Sequence, residues 1–155
     1  MSQHLKKLHH CSYSLQYHLV ACTKYRRKCI TKPMLVRMQK IFSATLEKWE
    51  GELIEFNGES DHVHLLISVN PKVQPSKLVN NLKTVSSRLL RKEFGDYLNN
   101  IYQGKPIFWS RSYCIISCGG APISVLKQYI QQQAEINWLL PIGRASLHHP
   151  LTLRV

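Results

Sequence analysis

The chain has 155 residues, 44% of them hydrophobic, a typical single-domain size with enough apolar content for an ordinary core. Twenty-one Lys and Arg against nine Asp and Glu leave a formal charge of +12, a balance that commonly marks a protein meeting phosphate backbones. No apolar run approaches the roughly 18 to 20 residues of a membrane span, and the basic start lacks the apolar stretch of a secretory signal, so a cytoplasmic location is expected.

Residues 13–22 alternate and are rich in aromatic and β-branched types, which predicts a first strand. The basic run Lys24-Tyr25-Arg26-Arg27-Lys28 follows as a turn with an aromatic inside it; a solvated charge run and a nucleic-acid contact are both compatible with it. From Pro33 to Trp49 the apolar residues Leu35, Met38, Ile41, Phe42, Leu46 and Trp49 recur at helical steps. Leu53 to Phe56 reads as a second strand, and Asn57-Gly58 as the turn that delivers the chain into the next.

That next stretch, His62-Val63-His64-Leu65-Leu66-Ile67-Ser68-Val69, is the most telling in the chain. Alternation along a strand sends both imidazoles to one face and Val63, Leu65, Ile67 and Val69 to the other, making a two-ligand metal platform backed by a buried face. Asp61 and Glu59 fall on the opposite face from the histidines in regular geometry and are kept out of the ligand set. A second helix opens after Pro75-Ser76 with the inward stripe Leu78, Leu82, Val85 and Leu89, leaving Lys83 and Arg88 among the bases on other faces, solvated or in contact with DNA.

A loop rich in Gly, Asn and Pro leads to a fourth strand at Ser112 to Ser117. Trp109 and Arg111 just before it suit stacking and charge on DNA, or a buried indole. Gly119-Gly120 then breaks the chain, Pro122 opens a helix, and Tyr129 and Gln133 follow at i, i+4 spacing, so a phenol and an oxygen ligand share one helix face. The diglycine is a plausible hinge. Strand, helix, strand, strand, helix, strand is the split βαβ order of an α+β, ferredoxin-like antiparallel sheet with both helices on one face. A C-terminal helix carrying the tyrosine is added to it.

The expected organisation is one domain over 1–155, with a core at about 13–118, a tyrosine helix at about 121–135 and a tail, 136–155, that matches nothing assignable. The five cysteines, odd in number and without a Cys-x-x-Cys spacing, read as free thiols, and His148 and His149 receive no role. A histidine platform, a helical tyrosine and a strongly basic surface together suggest metal-assisted phosphodiester cleavage with a tyrosine nucleophile.

Several of these segments, in the same order, resemble the small single-tyrosine HUH transposases of bacterial and archaeal insertion sequences, the IS200-like group. They are Tyr17-His18-Leu19-Val20 with Lys24-Tyr25-Arg26-Arg27-Lys28, Asp61-His62-Val63-His64-Leu65, and Gly119-Gly120-Ala121-Pro122 leading into Lys127-Gln128-Tyr129-Ile130. The resemblance implies a homodimer, with active sites shared between subunits in some members, that cleaves and rejoins single-stranded DNA at hairpin-bearing transposon ends. It further implies Tyr129 as nucleophile forming a 5′-phosphotyrosine, and His62, His64 and Gln133 as ligands of Mg²⁺ or Mn²⁺. Ligand softness alone admits zinc, nickel or iron as readily. The competing expectations are a domesticated relative that nicks hairpin repeats, a non-catalytic single-strand-binding module, and a zinc-stabilised structural protein.

Overall fold

The computed structural model of the chain describes residues 5–119 and 121–133. A short hairpin, β1 (Lys6–Leu8) and β2 (Cys11–Tyr13), comes first. Lys6 ties it to the main body, its Nζ donating to Glu52 Oε2 at 3.0 Å and to Ser68 Oγ at 3.2 Å. The main body then runs β3 (Gln16–Thr23), a 3₁₀ turn (Lys24–Arg26), α1 (Lys32–Lys48), β4 (Glu52–Gly58), β5 (His62–Ser68), α2 (Pro75–Glu93), α3 (Gly95–Tyr102), β6 (Trp109–Ser117) and α4 (Ile123–Gln133).

The four long strands form one antiparallel sheet in the order β4-β5-β3-β6. Numbered by their own succession in the chain, that is 2-3-1-4, the split βαβ order that the pattern of elements predicts. Both β3 and β5 are interior strands, bonded on each side, so the backbone beneath any side chain they carry is fixed by two ladders.

α1 starts where Thr31 caps it, its Oγ1 accepting from Met34 N at 3.4 Å, with a proline in the first turn where no N–H is needed. Its buried residues Met34, Met38, Ile41, Phe42 and Leu46 follow the helical step. α2 contributes Leu78, Val79, Leu82 and Leu90. Together they cover the face of the sheet that carries Leu19, Ala21, Val63, Leu65, Ile67 and Val69, and this is the main core. The other face has a second, smaller apolar seat in which Leu66 of β5 meets Leu126 of α4, with Ile54, Cys118 and Ala121 around them.

Four local expectations are corrected. The N-terminal hairpin carries too few residues for a periodic signal, and the first long strand begins at Gln16 rather than residue 13. Asn57-Gly58 is not the turn: β4 continues through both, and the reversal is made by residues 59–61. Gly58 is there for space, since a Cβ on it would stand 2.5 Å from Leu35 Cδ2 and 3.0 Å from Val63 Cγ1. The loop before the fourth strand contains α3, anchored by buried Leu98 and Tyr102 at i, i+4, and β6 begins at Trp109. The expected tail, 136–155, lies outside the described residues.

Candidate metal centre and tyrosine helix

Alternation along β5 places Val63, Leu65 and Ile67 in the main core and turns His62 and His64 to the other face of the sheet. Both imidazoles are buried, at 5% and 0% exposure, with ring centroids 5.0 Å apart and planes at 83°. Each ring is held through Nδ1. His62 Nδ1 lies 2.7 Å from Asp61 Oδ1, while Asp61 Oδ2 accepts from Arg26 Nε at 3.3 Å. His64 Nδ1 lies 2.9 Å from His18 Nε2, the two rings stacking with centroids 5.2 Å apart.

These contacts decide which nitrogen is available. A carboxylate only accepts, so the His62 Nδ1–H donates to Asp61, and in the neutral ring Nε2 is the nitrogen that carries the lone pair. That Nε2 is buried and has no hydrogen-bond partner among the described residues. Burial, reinforced by the neighbouring His18 and His62, lowers the His64 pKa to about 3, so this imidazole is neutral throughout the physiological range. Burial pushes the Asp61 carboxyl up, but the His62 hydrogen bond and the Arg26 charge outweigh it, and the net shift is downward. Two imidazoles oriented by outer hydrogen bonds, one with a buried Nε2 that nothing among the described residues satisfies, suit a divalent cation. Among the described residues no third His, Cys, Asp or Glu completes a cluster with them.

Regular alternation sends Asp61 to the face away from the histidines, and the structure differs. Asp61 precedes β5 and so reaches back to His62 through the turn rather than pointing away. His18 enters the sequence reading only as part of the segment Tyr17-His18-Leu19-Val20, with no role of its own. It becomes visible only with the β3–β5 register, in which Val20 faces His64 and His18 faces Leu66, so that His18, Val20, His62 and His64 share one side of the sheet.

Tyr129 and Gln133 both fall within α4, one helical turn apart, while their side chains lie outside the described structure. Gly119 at φ 53° precedes the helix, and the Pro122 carbonyl accepts from Val125 N at 3.0 Å and Leu126 N at 3.1 Å. Leu126 seats α4 on Leu66, which is two residues beyond His64 and on the same face of β5. The helix bearing the tyrosine is thereby packed on the histidine side of the sheet, against β4 and β5.

The basic residues divide. Lys24 and Arg26 form the 3₁₀ turn with Tyr25, which is 66% exposed, while Arg27 and Lys28 follow it on the surface. Tyr25 at φ 59° and Arg26 at φ 52° are both left-handed, a strained knuckle for residues with a Cβ. Lys24 Nζ lies 5.3 Å from the Tyr25 ring centre. Lys83 reaches from α2 to the Arg111 carbonyl at 3.1 Å and lies 5.5 Å from the Tyr113 ring centre; burial and then the charge of Lys24 lower its pKa. Lys24, Lys83 and Arg111 therefore gather beside β6, whereas Arg88 stands exposed farther along α2. Trp109 is enclosed, its Nε1 donating to Ser86 Oγ at 2.9 Å, so of its two possible places it takes the buried one.

Comparison with known proteins agrees with this architecture. The family model for IS200-like transposases matches residues 11–133. The transposase for insertion sequence element IS200 of Salmonella typhimurium is 30% identical over 130 residues, covering 84% of each chain. The ISDra2 transposase TnpA of Deinococcus radiodurans is 28% identical over 121 residues, 78% of this chain and 85% of its own. Among solved structures, a Deinococcus radiodurans R1 transposase superposes with a TM-score of 0.67 at 28% identity, over 83% of this chain and 97% of that one. The REP-associated tyrosine transposase bound to a REP hairpin shares the fold, with a TM-score of 0.53 at 7% identity over 81% of this chain and 68% of that one. A ferredoxin-like sheet with a histidine pair on one face, a tyrosine-bearing helix seated beside it and a family match spanning most of the sequence leave one conclusion: the chain belongs to the IS200-like transposase family.

Proposed function

We propose that this transposase cleaves and rejoins single-stranded DNA at hairpin-bearing ends, with Tyr129 as nucleophile and His62, His64 and Gln133 holding Mg²⁺ or Mn²⁺. The observation that carries the reading is the histidine pair. His62 Nε2 is a buried lone pair without a partner among the described residues, on the face of β5 where α4 is seated.

A phenol is a weak nucleophile at neutral pH, because its ordinary pKa is about 10. A bound divalent cation supplies Lewis-acid polarisation of the scissile phosphate. Tyr129 attacks phosphorus: its Oη–P bond forms, the bond from phosphorus to the 3′-oxygen breaks, the phenolic proton passes to solvent and the departing oxygen becomes a 3′-hydroxyl. The 5′-phosphotyrosine keeps the phosphodiester energy, so a second 3′-hydroxyl reverses the step and joins new ends without an outside energy source. Lys24, Arg26, Arg27 and Lys28 meet the backbone, Lys83 and Arg111 extend that surface and Tyr25 offers a ring for stacking. A structure of the same fold is bound to a REP hairpin, which favours a hairpin as the feature bound here. The acting species is a homodimer.

The test is to incubate the protein with labelled single strands from the DNA flanking its gene, with Mg²⁺ or with EDTA, and resolve the products on a denaturing gel. A metal-dependent protein–DNA adduct that disappears in Tyr129→Phe is the expected result. Binding without any adduct, on strands containing both ends and their hairpins, overturns the nuclease reading in favour of a binding module.

A further inference from the structure

The reaction as written makes no use of His18, a third imidazole buried beside the pair. It sits on β3, in register with Leu66 of β5 on one side and Ile116 of β6 on the other, and it is 4% exposed. Its Nε2 lies 2.9 Å from His64 Nδ1. A buried histidine at that distance from another is not neutral filler, because a single proton must lie between the two nitrogens and its owner fixes the tautomer of both rings.

Two arrangements satisfy the contact. If His18 Nε2 carries the proton and donates, His64 accepts at Nδ1, so the proton of neutral His64 is on Nε2. An N–H then points where a cation would sit. If His64 Nδ1 carries the proton and donates, His64 Nε2 is left with a bare lone pair, matching the state that Asp61 enforces on His62. Only the second makes a pair of like ligands.

We propose that His18 is a positioning residue for the metal centre: it accepts a hydrogen bond from His64 Nδ1–H, fixing the tautomer and orientation in which His64 Nε2 is the ligand atom. The two histidines are thus prepared by different acceptors, one a carboxylate tied to the basic turn, the other an imidazole on the neighbouring strand. His18 does for His64 what Asp61 does for His62 while adding no negative charge. This inference rests on the metal-binding reading of the site, and its test separates the two.

The full-length protein is titrated with Mn²⁺ in the absence of DNA, following free Mn²⁺ by electron paramagnetic resonance, for the wild type, His62→Ala, His18→Leu and His18→Gln. His18→Leu removes the acceptor and is expected to weaken Mn²⁺ binding by roughly 10- to 100-fold, the usual cost of losing an outer-shell partner. His18→Gln, whose amide oxygen can stand near the lost Nε2, is expected to recover most of that affinity. If the wild type and His62→Ala bind Mn²⁺ equally, the metal site itself is refuted, and this inference with it. If His62→Ala loses binding while His18→Leu keeps wild-type affinity, the metal site stands and the positioning role is refuted. A nitrogen-15 long-range correlation spectrum of the metal-free wild type decides the matter even where His18→Leu does not fold: a proton on His64 Nδ1 supports the assignment, and a proton on His64 Nε2 overturns it.

Discussion

Leu126 couples the tyrosine helix to the histidine strand, and truncating it should separate the stability of the helix from that of the sheet. Leu126→Ala removes three carbons from a side chain that is 4% exposed and packed on Leu66. At about 0.8 kcal/mol for each buried carbon the loss is roughly 2 kcal/mol, since the small seat can partly close over the gap. The main core under α1 and α2 does not contain Leu126, so the loss falls on the docking of α4 rather than on global unfolding. A change of 2 kcal/mol is about 30-fold in an opening equilibrium. Hydrogen exchange read by mass spectrometry should therefore show peptides of α4 exchanging about 30-fold faster, while those of β5 and α2 stay unchanged. Adduct formation should fall with the docked population. Equal acceleration in β5 and α4, or none in either, would refute the division of the molecule into a large core and a separate helix seat.

Three further predictions concern stability. His64 has a folded pKa of about 3 against an ordinary 6.5, so the folded state binds fewer protons than the unfolded one between those values; stability is full above pH 6.5 and falls as the pH drops toward 3. The ceiling is about 1.4 kcal/mol per pH unit, and melting curves of metal-free His64→Asn should show a shallower acid slope than the wild type. Gly51→Ala would place a Cβ 2.8 Å from the Ser68 carbonyl and should cost about 1 to 3 kcal/mol in urea unfolding, whereas Gly95→Ala, with nothing within 4 Å, should be neutral or slightly stabilising. Trp109→Phe loses the bond to Ser86 Oγ and part of a buried ring, which should lower stability by about 1 to 2 kcal/mol while leaving affinity for single strands unaltered at temperatures where the protein is folded.

The parts legible in the sequence are those governed by a period. His62 and His64 against Val63, Leu65 and Ile67 announce a strand with two different faces, and Met38, Ile41, Phe42 and Leu46 announce a helix. The parts that were not legible depend on partners distant in the chain. His18 gains meaning only from a register that brings residue 18 beside residue 64, and Asp61 only from a turn that breaks the alternation it was judged by. Asn57-Gly58 misleads because the same dipeptide serves two needs: a left-handed turn in one setting, and close approach of Leu35 and Val63 in this one. α3 hides in Gly-Asp-Tyr-Leu-Asn-Asn, where all but Leu98 are weak helix formers and the packing of Leu98 and Tyr102 overrides them.

Asp61 has two clients, and they belong to different tasks. One oxygen serves the His62 ring and the other the Arg26 guanidinium, so the histidine strand and the basic turn form a single electrostatic circuit. Whatever draws Arg26 away, a passing phosphate above all, leaves the whole charge of the carboxylate to the imidazole. If His62 holds a cation as proposed, linkage would make the effect mutual: an anion at the turn and a cation at His62 would favour one another, with no element of the fold needing to move.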